Sequence, residues 1–489
     1  MIESMTPLFA VLTPLLAIPL IVAARRMPDV RESFTIMAAL AAFALVASLV
    51  TQVDANTLVG SGSWEVVAGI ELNLRVDQTG LYFGLIASGL WLVTCFYSIG
   101  YVRAHDEKNQ TRYFASFAAC VGSTLGVAFA GNLVTFLVFY EMLSLATYPL
   151  VIHSESPKAI RSGRKYLTYA LTAGVLLMAA VIWTGVTVGN FDFKPGGIIE
   201  PDMLDAGSMR VLFLLFLAGV GVKAGLMPLH GWLPAAMVAP TPVSALLHAV
   251  AVVKSGVFGI IRVVGFVFGP ETMHLYGLDG LLVFVAGTTI VLASCIALRQ
   301  DNLKRRLAYS TVGHLSYIVL GIALLSRDGF AGGMLHMVNH ATMKITLFFC
   351  AGAIMVHLHK DRVSQLDGIG RAMPWTMGAF AIGALGLAGV PPVNGFLSKW
   401  LLCEGATDIA LIVLLTSGLL NAAYFFPIVH RAFFRAPSEE VAAKGEAPTI
   451  MVVPICFVAG LSVGLFFWPD LFLGMARDVA AAVFGKGAA

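Results

Sequence analysis

The stretch VGVKAGLMPLHGWLP, residues 220–234, interrupts a long apolar segment with a lysine and two prolines. Lys223 comes first, and Pro228 and Pro234 follow it. Proline removes a backbone donor and clashes with the preceding turn, so this segment is predicted to be a broken helix. Broken backbone is tolerated in a membrane only where protein or water surrounds it. The stretch therefore indicates a polar interior in an apolar chain.

A second stretch, AGVPPVNGFLSKW at residues 388–400, also combines prolines with a lysine. Pro391 and Pro392 precede Lys399, so this segment is predicted to be a second broken helix. Interruptions at matching places in two halves of a membrane protein are typical of an inverted repeat with its site near mid-membrane.

The composition of the whole chain places both stretches in a membrane. Hydrophobic residues make up 58% of the 489 residues and charged residues 12%, whereas a soluble domain carries about 25% charged residues. The formal net charge of +3 provides no basic face for nucleic acid. The chain is therefore predicted to be an all-α polytopic membrane protein that binds no nucleic acid.

Windows of about 20 apolar residues predict about fourteen transmembrane helices. The first apolar run is long enough to span, so we expect a helix there and not a cleaved signal peptide. The segment 57–76 alternates apolar and polar residues, which predicts a short extramembrane hairpin. The predicted helices fall near 5–24, 34–52, 79–101, 113–130, 132–152, 165–188, 209–229, 241–266, 276–298, 307–325, 331–357, 374–403, 408–434 and 449–468.

The distribution of basic residues predicts the orientation of the chain. The odd-numbered loops hold 20 of the 31 basic residues, whereas the even-numbered loops and the tail hold six. By the positive-inside rule the odd loops are cytoplasmic and both termini lie outside the cytoplasm. We therefore expect a multi-pass protein of the cell inner (plasma) membrane.

The six cysteines lie in apolar segments or at their ends and form no CxxC pair. They are expected to be buried free thiols, with no disulfide framework and no metal site. The sequence also shows no nucleotide-binding loop and no iron–sulfur cysteine cluster. We therefore expect the chain to bind no cofactor itself.

Six charged residues fall inside predicted helices at least four residues from either end. A charge at the bilayer centre costs roughly 2.5–3.5 kcal/mol on lenient insertion scales. So many buried charges require pairing, internal water or both. Arg262 lies near the end of its helix and is expected to snorkel to the interface. The six residues are Glu141, Lys223, Lys254, Arg262, Lys344 and Lys399.

One of these lysines ends a polar stripe in the segment LHMVNHATMK, residues 335–344. His336, His340 and Lys344 recur every four residues, and four residues turn an α-helix through about 400°, so the three side chains share one face. We name these three residues the stripe. Histidine titrates near neutral pH, and burial favours the neutral form of lysine. The stripe is therefore predicted to be a segment of a proton relay.

A further histidine, His248, shares a predicted helix with Lys254. An alternative is that all of these groups are structural, with Glu141 paired to a lysine and the histidines bonded to backbone carbonyls. Buried polar groups that recur at similar depth on successive helices favour an ion or proton path instead. Four other histidines are expected near cytoplasmic helix ends, in solvated or structural roles: His230, His314, His357 and His359.

The order of the helices predicts four regions. Helices four to eight and nine to thirteen form two runs of five, so the second run enters the membrane from the opposite side. The regions are an N-terminal part with three helices and the hairpin at 1–112, a first five-helix repeat at 113–268, an inverted second repeat at 276–435, and helix fourteen with a tail at 436–489.

Between about residues 75 and 435 the chain resembles the antiporter-like subunits shared by respiratory complex I, Mrp-type cation/proton antiporters and membrane-bound hydrogenases. Such subunits are understood to move protons through two half-channels joined by a hydrated axis, without a redox cofactor of their own. The stretches that carry the resemblance are FYEMLSLATYPLV, GVKAGLMPLHGWLPAAMVAPTPVSALLHAVAVVKSGVFGIIR, LKRRLAYSTVGHLSYIVLG, HMVNHATMKITLFFCAG and GVPPVNGFLSKW.

The resemblance implies a role for each buried group. Glu141 is similar to the family's fifth-helix glutamate, Lys223 to its seventh-helix partner, and Lys254 to the eighth-helix lysine between the half-channels. The stripe occupies the eleventh-helix relay, and Lys399 is similar to the terminal lysine of the twelfth helix. The implied partners are homologous antiporter-like subunits, other subunits of a large membrane complex, and lipid.

Several alternatives stay open from the residues. The resemblance leaves three types, which are a D-type Mrp subunit, a hydrogenase-type subunit, or a complex I subunit of type M or N. The transported ion is H⁺ alone, or Na⁺ is exchanged for H⁺. A secondary transporter for a small solute would need a midplane pocket with half-helix ends directed at the substrate. A non-pumping structural membrane subunit would not need the acid and lysines described above.

Overall fold

A bundle of long helices makes up most of the computed structural model, which describes residues 2–55, 57–67 and 69–485. Short helical turns, left unlabelled, join some of the main helices. The main helices in chain order are α1 Thr6–Ala23, α2 Pro28–Ser48, α3 Gln78–Ala104, α4 Gln110–Ala128, α5 Leu133–Val151, α6 Pro157–Val188, α7 Ala206–Ala224, α8 Thr241–Leu275, α9 Leu278–Leu298, α10 Leu303–Ala323, α11 Arg327–Leu358, α12 Pro374–Ala388, α13 Gly395–Glu404, α14 Asp408–Phe434, α15 Thr449–Phe467 and α16 Asp470–Phe484.

The prediction of an all-α polytopic membrane protein is confirmed. Each predicted span coincides with one of the helices α1 to α15, and the predicted span 374–403 is divided between α12 and α13. Within the described ranges, eleven helices are long and apolar enough to cross a membrane by length and composition. Some bounds differ: α6 begins at Pro157 instead of residue 165, and α8 continues to Leu275 instead of residue 266.

A hairpin lies where the sequence predicts it, whereas its position outside the membrane stays a prediction. Strands β2 (Val59–Val67) and β3 (Ile70–Val76) pair antiparallel, and a two-residue strand, β1 (Ile2–Glu3), pairs parallel with β2. The backbone N–H of Asn73 donates to the Thr135 hydroxyl at 2.9 Å. The hairpin is therefore attached to the first turn of α5.

The first predicted break lies directly after α7. The helix ends at Ala224, and Gly225 has a left-handed backbone with φ of 70°, which glycine adopts without steric cost. Only short helical turns follow, as far as Val238. The chain therefore leaves the helix at the place where the sequence predicts.

The Trp232 side chain donates to a carbonyl group at the end of α7. Its indole N–H donates to the Val222 carbonyl at 2.7 Å, whereas the Tyr140 hydroxyl donates to the Gly219 carbonyl at 3.3 Å one turn earlier. The last four carbonyls of a helix, which include that of Val222, lack an i+4 partner within the helix. Since the Trp232 side chain is buried, this carbonyl needs no contact with lipid or water.

The second predicted break separates α12 from α13. Helix α12 ends at Ala388, Gly389 has φ of 90°, and α13 begins at Gly395. The Asn339 side-chain amide of α11 donates to the Asn394 carbonyl between the two helices at 2.7 Å. Both broken helices are thus confirmed, whereas the assignment of two inverted repeats around them stays a prediction.

Helices α8 and α11 form the interior of the bundle. All of the apolar window of α8 is buried, and 83% of that of α11, whereas for the outer helices α1, α2, α6, α14 and α15 the buried share is 33%. On α3, the hydroxyls of Tyr82 and Tyr97 donate to the carbonyls of Met334 and Phe349 on α11, at 2.8 and 2.7 Å. Polar side chains on α8 and α11 are therefore enclosed by protein and do not face lipid.

The C-terminal helix α16 was not predicted. Its charged residues and length of fifteen residues hide it from a search for membrane spans. One face is buried, including Met475, Val479 and Val483, and the Asp478 carboxylate accepts a hydrogen bond from Gln78 of α3 at 3.0 Å. Residues 486–489 of the predicted tail, with Lys486, lie outside the described residues.

The expected burial of all six cysteines is wrong for Cys295 and only partly met for Cys403 and Cys456, which are half-buried. Cys95, Cys120 and Cys350 are buried, whereas Cys295 on α9 is exposed at the outer surface of the bundle. An apolar sequence segment does not reveal which of its faces is directed at lipid, because both faces are apolar.

The indole donor at the first break leads to a test of stability. Replacing Trp232 with Phe removes the hydrogen bond to Val222 and is expected to lower the free energy of unfolding by about 1 kcal/mol beyond the loss of ring volume. Trp91→Phe is the matched control, since Trp91 is also buried and its indole nitrogen has no partner in the described part of the chain. Thermal unfolding in one detergent measures both. Equal melting temperatures for the two variants would contradict the assigned role.

Candidate proton relay

Glu141 lies on α5 at the edge of the bundle. Its side chain is half-buried, and its neighbours Val138 and Met142 are exposed. The carboxyl group packs against Gly174 of α6, where a Cβ would come within 2.6 Å of the carboxyl carbon. One carboxylate oxygen, Oε1, is buried and has no hydrogen-bond partner among the residues described. The acid therefore lies near the lateral surface of the bundle and forms no ion pair within 4.0 Å in the described ranges.

Lys223 is buried in the last turn of α7 and contacts the residue that precedes Glu141. Its ammonium donates to the Tyr140 carbonyl at 2.5 Å and lies 3.3 Å from the centroid of the Tyr140 ring. No ion pair within 4.0 Å joins Lys223 to Glu141 in the described ranges. The predicted pairing of these two residues in some state of the cycle stays a prediction.

Lys254 links the two interior helices. It lies fully buried on α8, and its side-chain nitrogen is 2.8 Å from Nδ1 of His340 on α11. The other ring nitrogen of His340 is buried without a partner in the part of the chain described. The structure thus joins the lysine predicted at the centre of the relay directly to the middle residue of the stripe.

A cluster of three histidines continues from this contact. His314 Nδ1 lies 3.1 Å from Nε2 of His336, and the two rings stack with centroids 5.3 Å apart. The rings of His314 and His340 also stack, at 5.5 Å. On its other side, His336 Nδ1 is 2.9 Å from the hydroxyl of Ser398. The cluster therefore extends from Lys254 to the residue next to Lys399.

The expectation for His314 is wrong. The sequence predicts a position near a cytoplasmic helix end, but α10 runs from Leu303 to Ala323, so His314 lies in its middle and is 1% exposed. Its stacking partners lie on another helix. The position of His314 within an apolar run was a usable signal, whereas its contact with the stripe was not available from sequence.

Lys344, the third residue of the stripe, has a different set of neighbours. It is fully buried, and its ammonium donates to the Ser310 hydroxyl at 2.7 Å and to the Leu307 carbonyl at 3.2 Å. The Ser310 hydroxyl also accepts a hydrogen bond from the Tyr424 hydroxyl of α14 at 2.9 Å. The stripe thus shares one helix, but its histidines and its lysine lead to different partners.

Lys399 lies after the second break, on α13. Its ammonium donates to the Leu387 carbonyl at 2.7 Å and lies 5.1 Å from the centroid of the Tyr317 ring. Leu387 is in the last turn of α12, so the cation sits at the negative end of a half-helix. Lys223 also lies in the last turn of a half-helix, although it precedes its break while Lys399 follows its own.

His248 is not bonded directly to the other groups. It is fully buried in the segment Leu246–Val250, which has π-helical geometry, and its ring lies 5.0 Å from that of Phe348. Both ring nitrogens lack a hydrogen-bond partner within the described residues. Wider π turns are frequent at functional sites.

The expectation that Arg262 snorkels to the interface is wrong. Its side chain is 2% exposed and forms a bidentate ion pair with Asp77, with nitrogen–oxygen distances of 2.5 and 2.8 Å. The guanidinium group also lies over the rings of Phe193, Phe258 and Phe266. Asp77 is the residue that caps the start of α3. The charge of Arg262 is therefore paired with a carboxylate of the protein and is not directed at the membrane interface.

Comparisons with known proteins identify the family. A family model described as "NADH:quinone oxidoreductase/Mrp antiporter, TM" matches residues 130–424, a range that includes every predicted relay residue. The chain belongs to the NADH:quinone oxidoreductase/Mrp antiporter family. The resemblance described from the sequence is therefore confirmed.

Three relatives illustrate the breadth of this family. The chain is 32% identical to NADH-quinone oxidoreductase subunit N of Desulforudis audaxviator (strain MP104C), over 94% of this chain and 95% of that protein. It is 32% identical to hydrogenase-4 component B of Escherichia coli (strain K12), over 80% of this chain and 62% of the relative. It is 33% identical to a subunit of the probable K(+)/H(+) antiporter of Rhizobium meliloti (strain 1021), over 82% and 41%. The chain thus spans less than two thirds of the last two proteins.

Two solved structures have the same fold. One is from the membrane-bound sulfane sulfur reductase, an archaeal respiratory membrane complex, with a TM-score of 0.88, 22% identity and 98% of each chain covered. The other is from the Mrp complex of Dietzia sp. DQ12-45-1b, with a TM-score of 0.85, 20% identity, and 99% of this chain and 98% of that one covered. The fold of the chain is thus supported independently of the family model.

The position of Glu141 leads to a chemical test. A hydrophobic carbodiimide that partitions into the membrane is expected to modify Glu141, because its carboxyl group lies near the lateral surface and has no ion-pair partner in the described ranges. Glu32 is the internal control, since it is buried but ion-paired with Arg31 and Arg103. Peptide mass spectrometry after labelling should show adduct at Glu141 and little at Glu32. Equal labelling of both residues would contradict the described environment of Glu141.

Proposed function

We propose that this chain is the proton-translocating, antiporter-like subunit of a multisubunit membrane complex. The observation that carries the proposal is the contact between Lys254 and His340, which joins two buried helices through titratable groups. The proposed relay consists of Glu141, Lys223, His248, Lys254, His336, His340, Lys344 and Lys399, and His314 is added to it. Lys223 lies at the first break, which contains Pro228. Lys399 lies at the second break, which contains Pro391 and Pro392.

The environment of the lysines supports proton transfer through the chain. Lys223, Lys254 and Lys344 bond to a carbonyl, an imidazole and a hydroxyl, all of them neutral acceptors. Lys254 and Lys344 form no ion pair with a carboxylate in the described ranges, so a proton that leaves either lysine does not leave an uncompensated carboxylate behind. Where no direct contact exists, as at His248, a bridging water completes the path.

The complex to which the chain belongs is proposed from its relatives. These are a subunit N of NADH-quinone oxidoreductase, a component of hydrogenase-4 and a subunit of a probable K(+)/H(+) antiporter. We propose homologous antiporter-like subunits as neighbours, with electron transfer, where it occurs, in other subunits. The apolar outer faces of α6 and α14, with Val186 and Leu419 exposed, provide lateral surfaces for such neighbours and for lipid.

Removing the central or the terminal lysine tests the proposed function. Lys254→Met and Lys399→Met keep side-chain length but remove the proton-carrying group, so each is expected to lower proton transport by at least about tenfold. Thr346→Val is the matched control on α11, because its hydroxyl is buried and, among the described residues, bonds only within its own helix. Formation of a pH gradient in inverted membrane vesicles, normalised to assembled complex, is the measurement.

Two ways of driving proton transport into the vesicles distinguish the candidate types of complex. An electron donor drives transport in a complex of the oxidoreductase or hydrogenase type, whereas a pulse of Na⁺ or K⁺ drives it in an antiporter. Wild-type rates for both lysine variants under the driving condition that works would overturn the proposed function.

We propose the inner membrane as location, with both termini outside the cytoplasm. The excess of basic residues in odd-numbered loops supports this orientation. Glu200 and Lys108 are exposed in an even-numbered and an odd-numbered loop, respectively. A membrane-impermeant maleimide is expected to label Glu200→Cys in intact cells and Lys108→Cys only in inverted vesicles. The reverse pattern would show that the proposed orientation is wrong.

A further inference from the structure

A second polar connection lies between Lys344 and Lys399, apart from the histidines. The Lys344 ammonium donates to the Ser310 hydroxyl at 2.7 Å, and the hydroxyls of Ser310 and Tyr424 are 2.9 Å apart. The Tyr424 hydroxyl also contacts the side-chain carbonyl oxygen of Asn421. Ser310, Tyr424 and Asn421 are each 1% exposed, so the group is enclosed by protein.

The connection ends on the carbonyl that holds Lys399. The Asn421 side-chain amide donates to the Leu387 carbonyl at 3.4 Å, and the Lys399 ammonium donates to that same carbonyl at 2.7 Å. Tyr424 and Lys399 are thus separated by the Asn421 amide and one carbonyl oxygen. Since neither the amide nor the carbonyl passes a proton on, a proton path from the tyrosine hydroxyl to the lysine requires a bridging water.

The histidines reach Lys399 by a different route. His340 contacts Lys254, and His336 contacts the hydroxyl of Ser398, which is next to Lys399 in sequence. No residue of this histidine series shares a hydrogen bond with Ser310 or Tyr424 in the described ranges. The second half of the relay therefore contains two series of polar contacts that share no hydrogen bond in the described ranges and converge on α13, although the Tyr317 ring stacks on His314 and His336.

We propose that Tyr424 and Ser310 form a second proton-conducting branch from Lys344 to Lys399, parallel to the histidine series. This inference rests on the proposed function. In the structure Tyr424 donates to Ser310, so both hydroxyls first turn until Ser310 donates to Tyr424 and Tyr424 donates to water. Lys344 then gives a proton to the Ser310 oxygen as Ser310 gives its own hydroxyl proton to the Tyr424 oxygen. Tyr424 then gives its former hydroxyl proton to water beside the neutral amine of Lys399, and that water protonates the amine.

The step is balanced in protons and leaves no charge on the hydroxyls. One N–H bond breaks at Lys344 and one forms at Lys399, while both hydroxyl groups and the water end with the protons that they need to be neutral. Tyr424 has one hydroxyl proton and two acceptors nearby, Ser310 and Asn421, so its O–H bond has to turn between transfers. Asn421 acts as a positioning residue because its amide oxygen holds the hydroxyl in place.

Replacing Tyr424 with Phe tests the branch. The variant keeps the ring but loses the hydroxyl, and it is expected to lower proton transport about two- to fivefold, since the histidine series continues to conduct. Ser310→Ala should have the same effect, and Ser310→Thr, which retains a hydroxyl, should restore transport. Tyr82→Phe is the matched control: it removes a buried tyrosine hydroxyl that donates only to a backbone carbonyl on α11.

Combined variants distinguish two branches from one. Ser310→Ala with Tyr424→Phe should transport no worse than either alone, because both interrupt the same branch. Tyr424→Phe with His336→Leu should lose transport far beyond the product of the two single effects, because both branches are then interrupted. These rates are measured in the same vesicles as before.

The outcomes separate this inference from the proposed function. If Lys254→Met abolishes transport but Tyr424→Phe transports at the wild-type rate, the proposed function stands and the branch is overturned. The branch is also overturned if Tyr424→Phe adds nothing to His336→Leu, or if Ser310→Thr remains as impaired as Ser310→Ala. Equal loss in Tyr82→Phe would mark a structural effect of hydroxyl removal and would overturn the branch as well.

Discussion

A lysine inside a membrane bundle must receive from the protein the hydrogen-bond acceptors that water would otherwise provide. This requirement shapes the interior of the molecule. Lys254 is bonded to an imidazole, Lys344 to a hydroxyl, and Lys399 to a helix-end carbonyl. Each acceptor comes from a different helix or half-helix than the lysine itself. The lysines therefore tie the interior helices together while bonding to neutral groups.

The broken helices follow from the same requirement. A continuous helix uses its carbonyls within itself, whereas an interrupted one leaves the last carbonyls free to accept other donors. At the end of α12, the Leu387 carbonyl accepts from Lys399 and Asn421. At the end of α7, the Val222 carbonyl accepts from the Trp232 indole N–H. At both breaks, side chains donate hydrogen bonds to carbonyls that the interrupted helix leaves free, but the donors differ. Among the described residues, a lysine is such a donor only at the second break.

The hydrogen bonds of the buried lysines and histidines depend on the burial of α8 and α11. Because outer helices shield them from lipid, polar side chains on both can face each other at hydrogen-bond distance. The His314, His336 and His340 rings stack there, which fixes their relative orientation. Fixed orientation matters for a relay, since a proton passes only between groups within hydrogen-bond reach or joined by one water.

The sequence alone determined the membrane class, the approximate positions of helices α1 to α15, both breaks and the hairpin. These features depend on local chemistry: runs of apolar residues, proline geometry and the alternation of polar residues are visible in any short window of the chain. The stripe was predictable for the same reason, because helical spacing places His336, His340 and Lys344 on one face. Helix α16 was missed because it is too short and too charged to resemble a span.

The partners of the buried groups were decided only by tertiary structure. In the sequence, nothing identifies the partners of His314, Ser310 and Tyr424. These residues contact the relay only because the fold brings α10, α11 and α14 together. Arg262 was misjudged for the same reason, because Asp77, its partner, lies 185 residues away. Local sequence shows that a polar side chain in a membrane needs a partner. Which residue supplies that partner depends on how distant helices pack, and that packing is a property of the whole chain.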